Sequence, residues 1–329
     1  MNVLVRSSGY LTSVQDLGRT GFRQSGVSLS GALDTHALRV ANALVGNQEN
    51  ASGLEATLGT IRLRFEDQCL VAWCGGGFSA QIGETALRPG HVALMRKDAE
   101  LAMAAPDGGG RAWLAISGGI DVPLVLGSRS TDLRGNFGGY QGRALRDGDV
   151  ISLFKEGRFE NIGRRKDGDL ESAAGRGAPA TWAALGSRNP VLRVVKGTDW
   201  NRFGSDAQRL LMTSAFHVSG DSDRMGNRLE GPELQRTDPG DLLSEAVTPG
   251  TIQVPPNGKP ILLLGDCQTI GGYPKIAHVI TVDMPLAAQL SPGHTVRFQE
   301  VSLAEAQLLL REREQDFVRF RIGLDLHFR

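Results

Sequence analysis

"PILLLGDCQTIGGYPKIAHVI" (residues 260–280) joins one apolar run to another through a polar, glycine-rich loop. Each run is of strand length, and proline or glycine bounds them, so the pattern reads as two β-strands and a constrained connection. Gly271 and Gly272 permit a sharp turn close to the backbone, and Pro274 restricts the chain around it. Asp266, Gln268, Tyr273 and Lys275 lie within ten positions. A carboxylate, an amide, a phenol and an ammonium on one constrained loop suit a small polar amide or acid as ligand. The alternative is a rigid hairpin whose charges face water.

The same grammar recurs outward from this stretch. "TIRLRF" (60–65), "CLVAW" (69–73), "HVALM" (91–95), "AWLAIS" (112–117), "DVISLF" (149–154), "PVLRVV" (190–195) and "HTVRF" (294–298) are short apolar segments bounded by turn formers. With 43 glycines and 14 prolines in 329 residues, they predict a barrel or sandwich of short strands and argue against a helical bundle. Helical period appears in "DTHALRVANALVG" (34–46), with Asp34 as cap and Gly46 as stop, in "DAQRLLMTSAF" (206–216), and in "LAEAQLLLRERE" (303–314) after Ser302. "LRPGHVALM" (87–95), "LRDGDVISL" (145–153) and "LSPGHTVRF" (290–298) repeat a turn ending in glycine before a new strand. Two related β units fit this distribution, and generic turn chemistry would also produce it. The polar segment 158–187 reads as a linker or extended loop, dividing the chain into domains at 1–157 and 188–329, the second ending in a helix.

Thirty-six basic and 36 acidic residues balance, so net charge points to neither nucleic acid nor an anionic membrane as partner. Apolar runs such as "PILLLG" fall far short of the roughly 20 residues a membrane helix requires. Cys69, Cys74 and Cys267 lie mostly in apolar sequence, and "MNVLVRSSGYL" has no apolar signal core; a reduced, cytoplasmic protein is expected.

No G-x-x-x-x-G-K-[ST] phosphate loop, early G-x-G-x-x-G or G-x-S-x-G elbow is present. The six histidines form no H-x-x-x-H pair and no C-x-x-C occurs, so no metal site is expected. In "ALMRK" (93–97), arginine stands where a biotin-bearing lysine would be needed, so covalent biotin is not expected on this chain. "CGGG" (74–77) reads as a tight turn closing a strand or as an anion-binding nest.

Two further polar segments carry candidate groups. In "SVQDLGRTGFRQSG" (13–26), Gln15, Asp16 and Arg19 occupy a loop; Arg19 offers a planar fork to an anion, or pairs with Asp16 to hold the turn. In "SGDSDRMGNRLEG" (219–231), Arg224 and Arg228 share a face if the segment is helical, with a ligand or the nearby Asp221, Asp223 and Glu230 neutralising them.

Taken in order, "SVQDLGR", "SGGIDVPLVLGSRSTDLRGNFGGYQGRALRDGD" (117–149), "SDRMGNRLEG" (222–231), "TPGTIQVPPNGKPILLLGDCQTIGGYPKIAHVI" (248–280) and "LAAQLSPG" (286–293) resemble the KipA family, also called the biotin-dependent carboxyltransferase or allophanate hydrolase subunit 2 family. The resemblance implies a mainly β fold of two tandem cyclophilin-like β-barrel domains with a few short helices. It implies the C subunit of a bacterial ATP-dependent 5-oxoprolinase complex, which converts 5-oxo-L-proline to L-glutamate. Two partners complete that complex, a LamB/YcsF-like protein and a KipI-like protein, and ATP then belongs to the assembly. Two other roles attach to the family: a carboxyltransferase component acting on urea or a related amide with a separate biotin carrier, and a non-catalytic regulatory partner of a KipI-like protein. The expected cleft groups Arg19, Arg224, Asp266 and Lys275 as catalytic with Gln15, Asp16, Arg228, Gln268, Gly271, Gly272 and Tyr273 as substrate-binding, with no general base assigned. Cys267 and Ile270 depart from the arginine and threonine expected there, which removes a cation beside Asp266.

Overall fold

The computed structural model describes residues 1–106, 110–154, 177–238, 240 and 242–327. The chain forms two compact units. The first comprises Met1–Arg19, Ser30–Gly186 and Phe317–Arg329, and the second Thr20–Leu29 and Ser187–Asp316.

In the first unit, Val150–Ser152, Asn2–Ser8, Thr60–Phe65, Glu100–Ala104, Ser79–Ile82 and Thr85–Leu87 form a six-stranded sheet in that order. Leu11–Gln15, Gly53–Thr57, Arg111–Ile116, Cys69–Gly75 and Val92–Met95 form a five-stranded one. Alternation decides which face turns inward: Ile61, Leu63 and Phe65 join Val3, Val71 and Leu114 in the core. Arg62 and Arg64 point out and pair with Glu100 and Asp98. Cys69–Gly75 is buried along its whole length, because the helix Thr35–Leu44 packs on this strand. That helix begins where the Asp34 carboxylate accepts the Ala37 amide at 2.8 Å and is followed by Gly46 at φ 74°.

In the second unit, seven strands close a barrel: Val191–Lys196, Lys275–Val279, Thr251–Gln253, Ile261–Leu263, Gly226–Glu230, Phe216–Val218 and Thr295–Glu300. Parallel pairing of the last with the first completes the ring, which leaves no edge in the barrel. Leu192, Val194, Phe216, Ile252, Leu262, Ile276 and Phe298 fill it.

Every strand segment read from the sequence contains a strand. Two closed barrels were the expectation; among the described residues one is present, with two separate sheets in the first unit. The expectation of only short helices also needs correction, since Leu303–His327 runs for 25 residues. Ser302 Oγ caps its start by accepting the Glu305 amide, and no glycine or proline interrupts it before Gly323. The architecture is therefore mixed. In the repeated turns, Gly90, Gly148 and Gly293 all have positive φ, at 71°, 90° and 84°, which is the chemistry the repeat demanded. At "CGGG" a Cβ on Gly75 would overlap the Arg111 carbonyl on the neighbouring strand, so glycine there serves close strand packing.

Most of segment 158–187 lies outside the described residues. Its described end belongs to the first unit, where Gly177 bridges to His91 and Ala183 is buried. No helix among the described residues is long and apolar enough to cross a membrane.

Candidate functional site

In the second unit the strand Ile261–Leu263 leads into the turn that carries Asp266. Backbone bonds from Leu264 to Met225 and from Asp266 to Arg224 zip this loop to the turn before Gly226–Glu230. The two side chains then meet: Arg224 Nε lies 2.9 Å from Asp266 Oδ2 and Nη2 lies 3.3 Å from Oδ1. Their side chains are 5% and 4% exposed, so this fork is a buried ion pair. The segment around Arg224 is a turn and a strand, not a helix. Arg228 is exposed on that strand and does not share a helical face with Arg224.

Gln268 Nε2 donates to Gln253 Oε1 at 3.2 Å, and Gln253 Nε2 donates to the Tyr273 carbonyl at 3.1 Å. Gly271 makes room for this chain of amides: a Cβ there would stand 2.9 Å from Gln253 Nε2 and 3.3 Å from Gln268 Nε2. Gly272 lies close to the Leu242 carbonyl, which a Cβ would meet at 3.3 Å.

Lys275 is committed to two carboxylates. Its ammonium sits 2.7 Å from Glu245 Oε2 and 3.2 Å from Asp199 Oδ2. Burial opposes the charge, but the hydrogen bonds to Glu245 and Asp199 prevail and hold Lys275 above the ordinary lysine value. Burial likewise opposes ionisation of Asp199, and the Lys275 amide and ammonium outweigh it, holding that carboxyl below the usual range. A lysine held charged around neutral pH is no general base there; it acts through its field. His278 is pushed down, first by burial and then by the Lys275 charge.

The signs predict a pH profile. The Asp199 contribution is present above its unfolded value and lost as pH falls through the lowered native one. The Lys275 contribution is present below its unfolded value and lost as pH rises through the raised native one. Urea unfolding of wild type and Lys275→Met from about pH 3 to about pH 11 should therefore show a stability gap that is widest near neutrality and narrows at both ends. A gap constant across pH would count against this assignment.

Cys267 is fully buried, and burial raises its thiol to about 11 despite the opposing pull of Arg23. Arg23 comes from Thr20–Leu29, the N-terminal segment that belongs to the second unit, and it donates to the Val247 and Gln268 carbonyls. The loop thus has two cations at the point where Cys267 removes an expected one. Arg23 stands inside a quoted motif, but its partners are remote in sequence and nothing local marks it.

A cavity of about 510 Å³ opens beside this loop. Arg228, Gln268 and Tyr273 line it, with Lys259, Gln253 and Asp223 among the other walls. Arg224, Asp266 and Lys275 do not line it; they hold the loop from behind.

Gln15, Asp16 and Arg19 lie in the first unit, all buried. Gln15 Nε2 donates to Ser13 Oγ and the Thr131 carbonyl. The Asp16 carboxylate accepts the Gly18 amide at 2.8 Å, the Ser128 hydroxyl at 2.6 Å, the Arg129 amide at 2.6 Å and the Ser130 hydroxyl. Arg19 donates to the Val125 and Ser130 carbonyls and lies 4.7 Å from the Phe137 ring centre. These three side chains brace the segment 125–137. Among the described residues no group of three or more histidine, cysteine or acidic side chains is placed to hold a metal ion.

A family model for the carboxyltransferase domain, subdomains A and B, matches residues 25–300. The chain belongs to this carboxyltransferase-domain family. Among its curated relatives, the 5-oxoprolinase C subunit of Escherichia coli K12 is 41% identical over 310 residues, covering 94% of each chain. The protein of the same name from Haemophilus influenzae is 36% identical and 92% covered on each side. The carboxyltransferase-domain fold also superposes on the solved urea amidolyase of K. lactis with a TM-score of 0.86 at 30% identity, covering 97% of this chain and 20% of that one. The chain therefore spans about a fifth of that larger protein.

Proposed function

We propose that this chain acts as the C subunit of an ATP-dependent 5-oxoprolinase, hydrolysing 5-oxo-L-proline to L-glutamate with a LamB/YcsF-like partner and a KipI-like partner. The observation that carries the reading is 41% identity to the Escherichia coli 5-oxoprolinase C subunit, over 94% of both chains. The second-unit cavity supports it: amides from Gln253 and Gln268 suit a lactam, and its lining carries the cations Arg228 and Lys259 for a carboxylate, beside the acids Asp221, Asp223 and Glu230. A stable lactam resists hydrolysis, and ATP-dependent activation of the amide oxygen gives the complex its driving force. With no phosphate-loop motif here, ATP is assigned to the assembly, and this chain's part is to bind and orient.

The reading extends to the fold and the compartment. The two units are taken as related cyclophilin-like β domains, with 158–187 joining them, and the repeated turn-and-strand segments support that kinship. The unbonded, buried cysteines suit a reducing cytoplasm. A second reading, carboxyl transfer to urea or a related amide with a separate biotin carrier, is favoured by the superposition on urea amidolyase.

Co-expression with candidate LamB/YcsF-like and KipI-like partners should yield a complex that releases glutamate from 5-oxoproline only with ATP. Arg228→Ala, on the exposed face of its strand, should lower kcat/KM by about 10- to 100-fold, the range for a charge-assisted hydrogen bond to substrate. An assembled complex that releases no glutamate would sink the leading reading, and biotin-dependent carboxylation of urea would establish the second.

A further inference from the structure

The first unit holds a cavity of about 560 Å³ with two arginines, Arg129 and Arg321, and no acid among its lining residues. Its wall is stiff where Asn47 ties two backbones together, accepting the Gly118 amide and donating to the Ile116 carbonyl, each at 2.8 Å. Arg321 is shared with Glu49, which also pairs with Arg39, so its charge is partly met.

Arg129 is in a different position. Asp16 fixes its backbone by accepting its amide, Nε donates to the Val122 carbonyl at 3.1 Å, and the guanidinium lies 4.9 Å from the centre of the Phe154 ring. One nitrogen is thus committed and the plane is set, while the two terminal amino groups have no acceptor among the described residues. A guanidinium held in this way presents a preorganised fork, so little ordering is left for a ligand to impose.

We propose that this cavity is a binding site for a small oxyanion, a carboxylate or phosphoryl group, gripped by the terminal nitrogens of Arg129 and attracted by Arg321. Planar, bidentate recognition of such oxygens is what the guanidinium geometry serves. Asp16 is its positioning residue: through Ser128, Arg129 and Ser130 it sets the backbone from which the fork projects. This assignment stands apart from the 5-oxoprolinase reading, since it concerns the first unit alone and asks only for an oxyanion.

Calorimetry of the full chain at low salt, with inorganic phosphate, 5-oxoprolinate and acetate in separate arms, tests it. Saturable binding is expected in at least one arm, and the arm names the source: phosphate alone marks a phosphoryl group, 5-oxoprolinate or acetate a carboxylate. Arg129→Gln should weaken that binding at least about tenfold. Asn50→Asp, which puts a like charge at the exposed rim, should weaken it several-fold. Arg64→Gln, which removes a first-unit cation outside the cavity, should bind as wild type does. Thermal melting checks that Arg129→Gln folds, and if it does not, Asn50→Asp decides. Absence of saturation in every arm, or wild-type affinity in the folded variants, overturns the proposal.

Discussion

Arg224→Ala is expected to destabilise the protein by about 3–5 kcal/mol, the usual loss when one member of a buried ion pair is removed. Both Asp266 oxygens face the Arg224 guanidinium, and at 4% exposure that carboxylate has little water to fall back on. Denaturant unfolding measures the loss, and a cycle with Asp266→Ala and the double variant isolates the pair. The double replacement Arg224→Met with Asp266→Leu should lie much nearer wild type, because no charge is then left behind. Arg224→Lys keeps the charge but loses the fork, and belongs between these limits. A loss under about 1 kcal/mol for Arg224→Ala would show that the pair is effectively solvated. From the sequence, this arginine belongs to the reaction. Its burial makes it a support of the loop that carries Gln268 and Tyr273, so lost activity must be separated from lost fold.

Gly138→Ala should be comparably damaging in the first unit. Gly138 sits at φ 69°, and a Cβ there would overlap both the Ser130 carbonyl and the Arg19 guanidinium. The methyl group would wedge apart the contact by which Arg19 holds the segment 125–137. Backbone strain and overlap together should cost roughly 3 kcal/mol or more. Gly148→Ala provides the comparison: its φ is 90° but a Cβ would meet nothing within 4 Å, so strain alone applies, at about 1–2 kcal/mol. Thermal melts of the two variants should therefore separate clearly. Equal melting temperatures would mean that the Arg19 cradle yields without cost.

What was legible in the sequence was local. The strand in "TIRLRF" follows from alternation within six residues, and the turn glycines from a motif of nine. Position 138 was legible only as one glycine among many, since its constraint comes from Arg19 and Ser130, which fold back onto it. Strand spacing fits a barrel or a sandwich alike and leaves closure undecided, because closure depends on Val191–Lys196 finding Thr295–Glu300 across a hundred residues of chain. The candidate site divides in the same way. Gln268, Tyr273 and Arg228 stood out as exposed polar groups near turns and do line a cavity. Asp16, Arg19, Arg224 and Lys275 stood out equally, yet burial and pairing make them braces. Composition does not distinguish a charge offered to a ligand from one already answered within the protein. Arg129 passed unnoticed for the converse reason: its environment is assembled from Phe154 and Val122, which no pattern around "GSRST" announces.

The two units are not two consecutive lengths of chain. Thr20–Leu29 belongs with the second, and Phe317–Arg329 with the first, where Phe317 is fully buried against His36 and under Arg39. During synthesis the first unit lacks this ring until all of the second has been made. Each unit therefore depends on a piece that the ribosome delivers on the far side of the other, early for the second and last for the first, and neither is a module that evolution or a protease can lift out with a single cut.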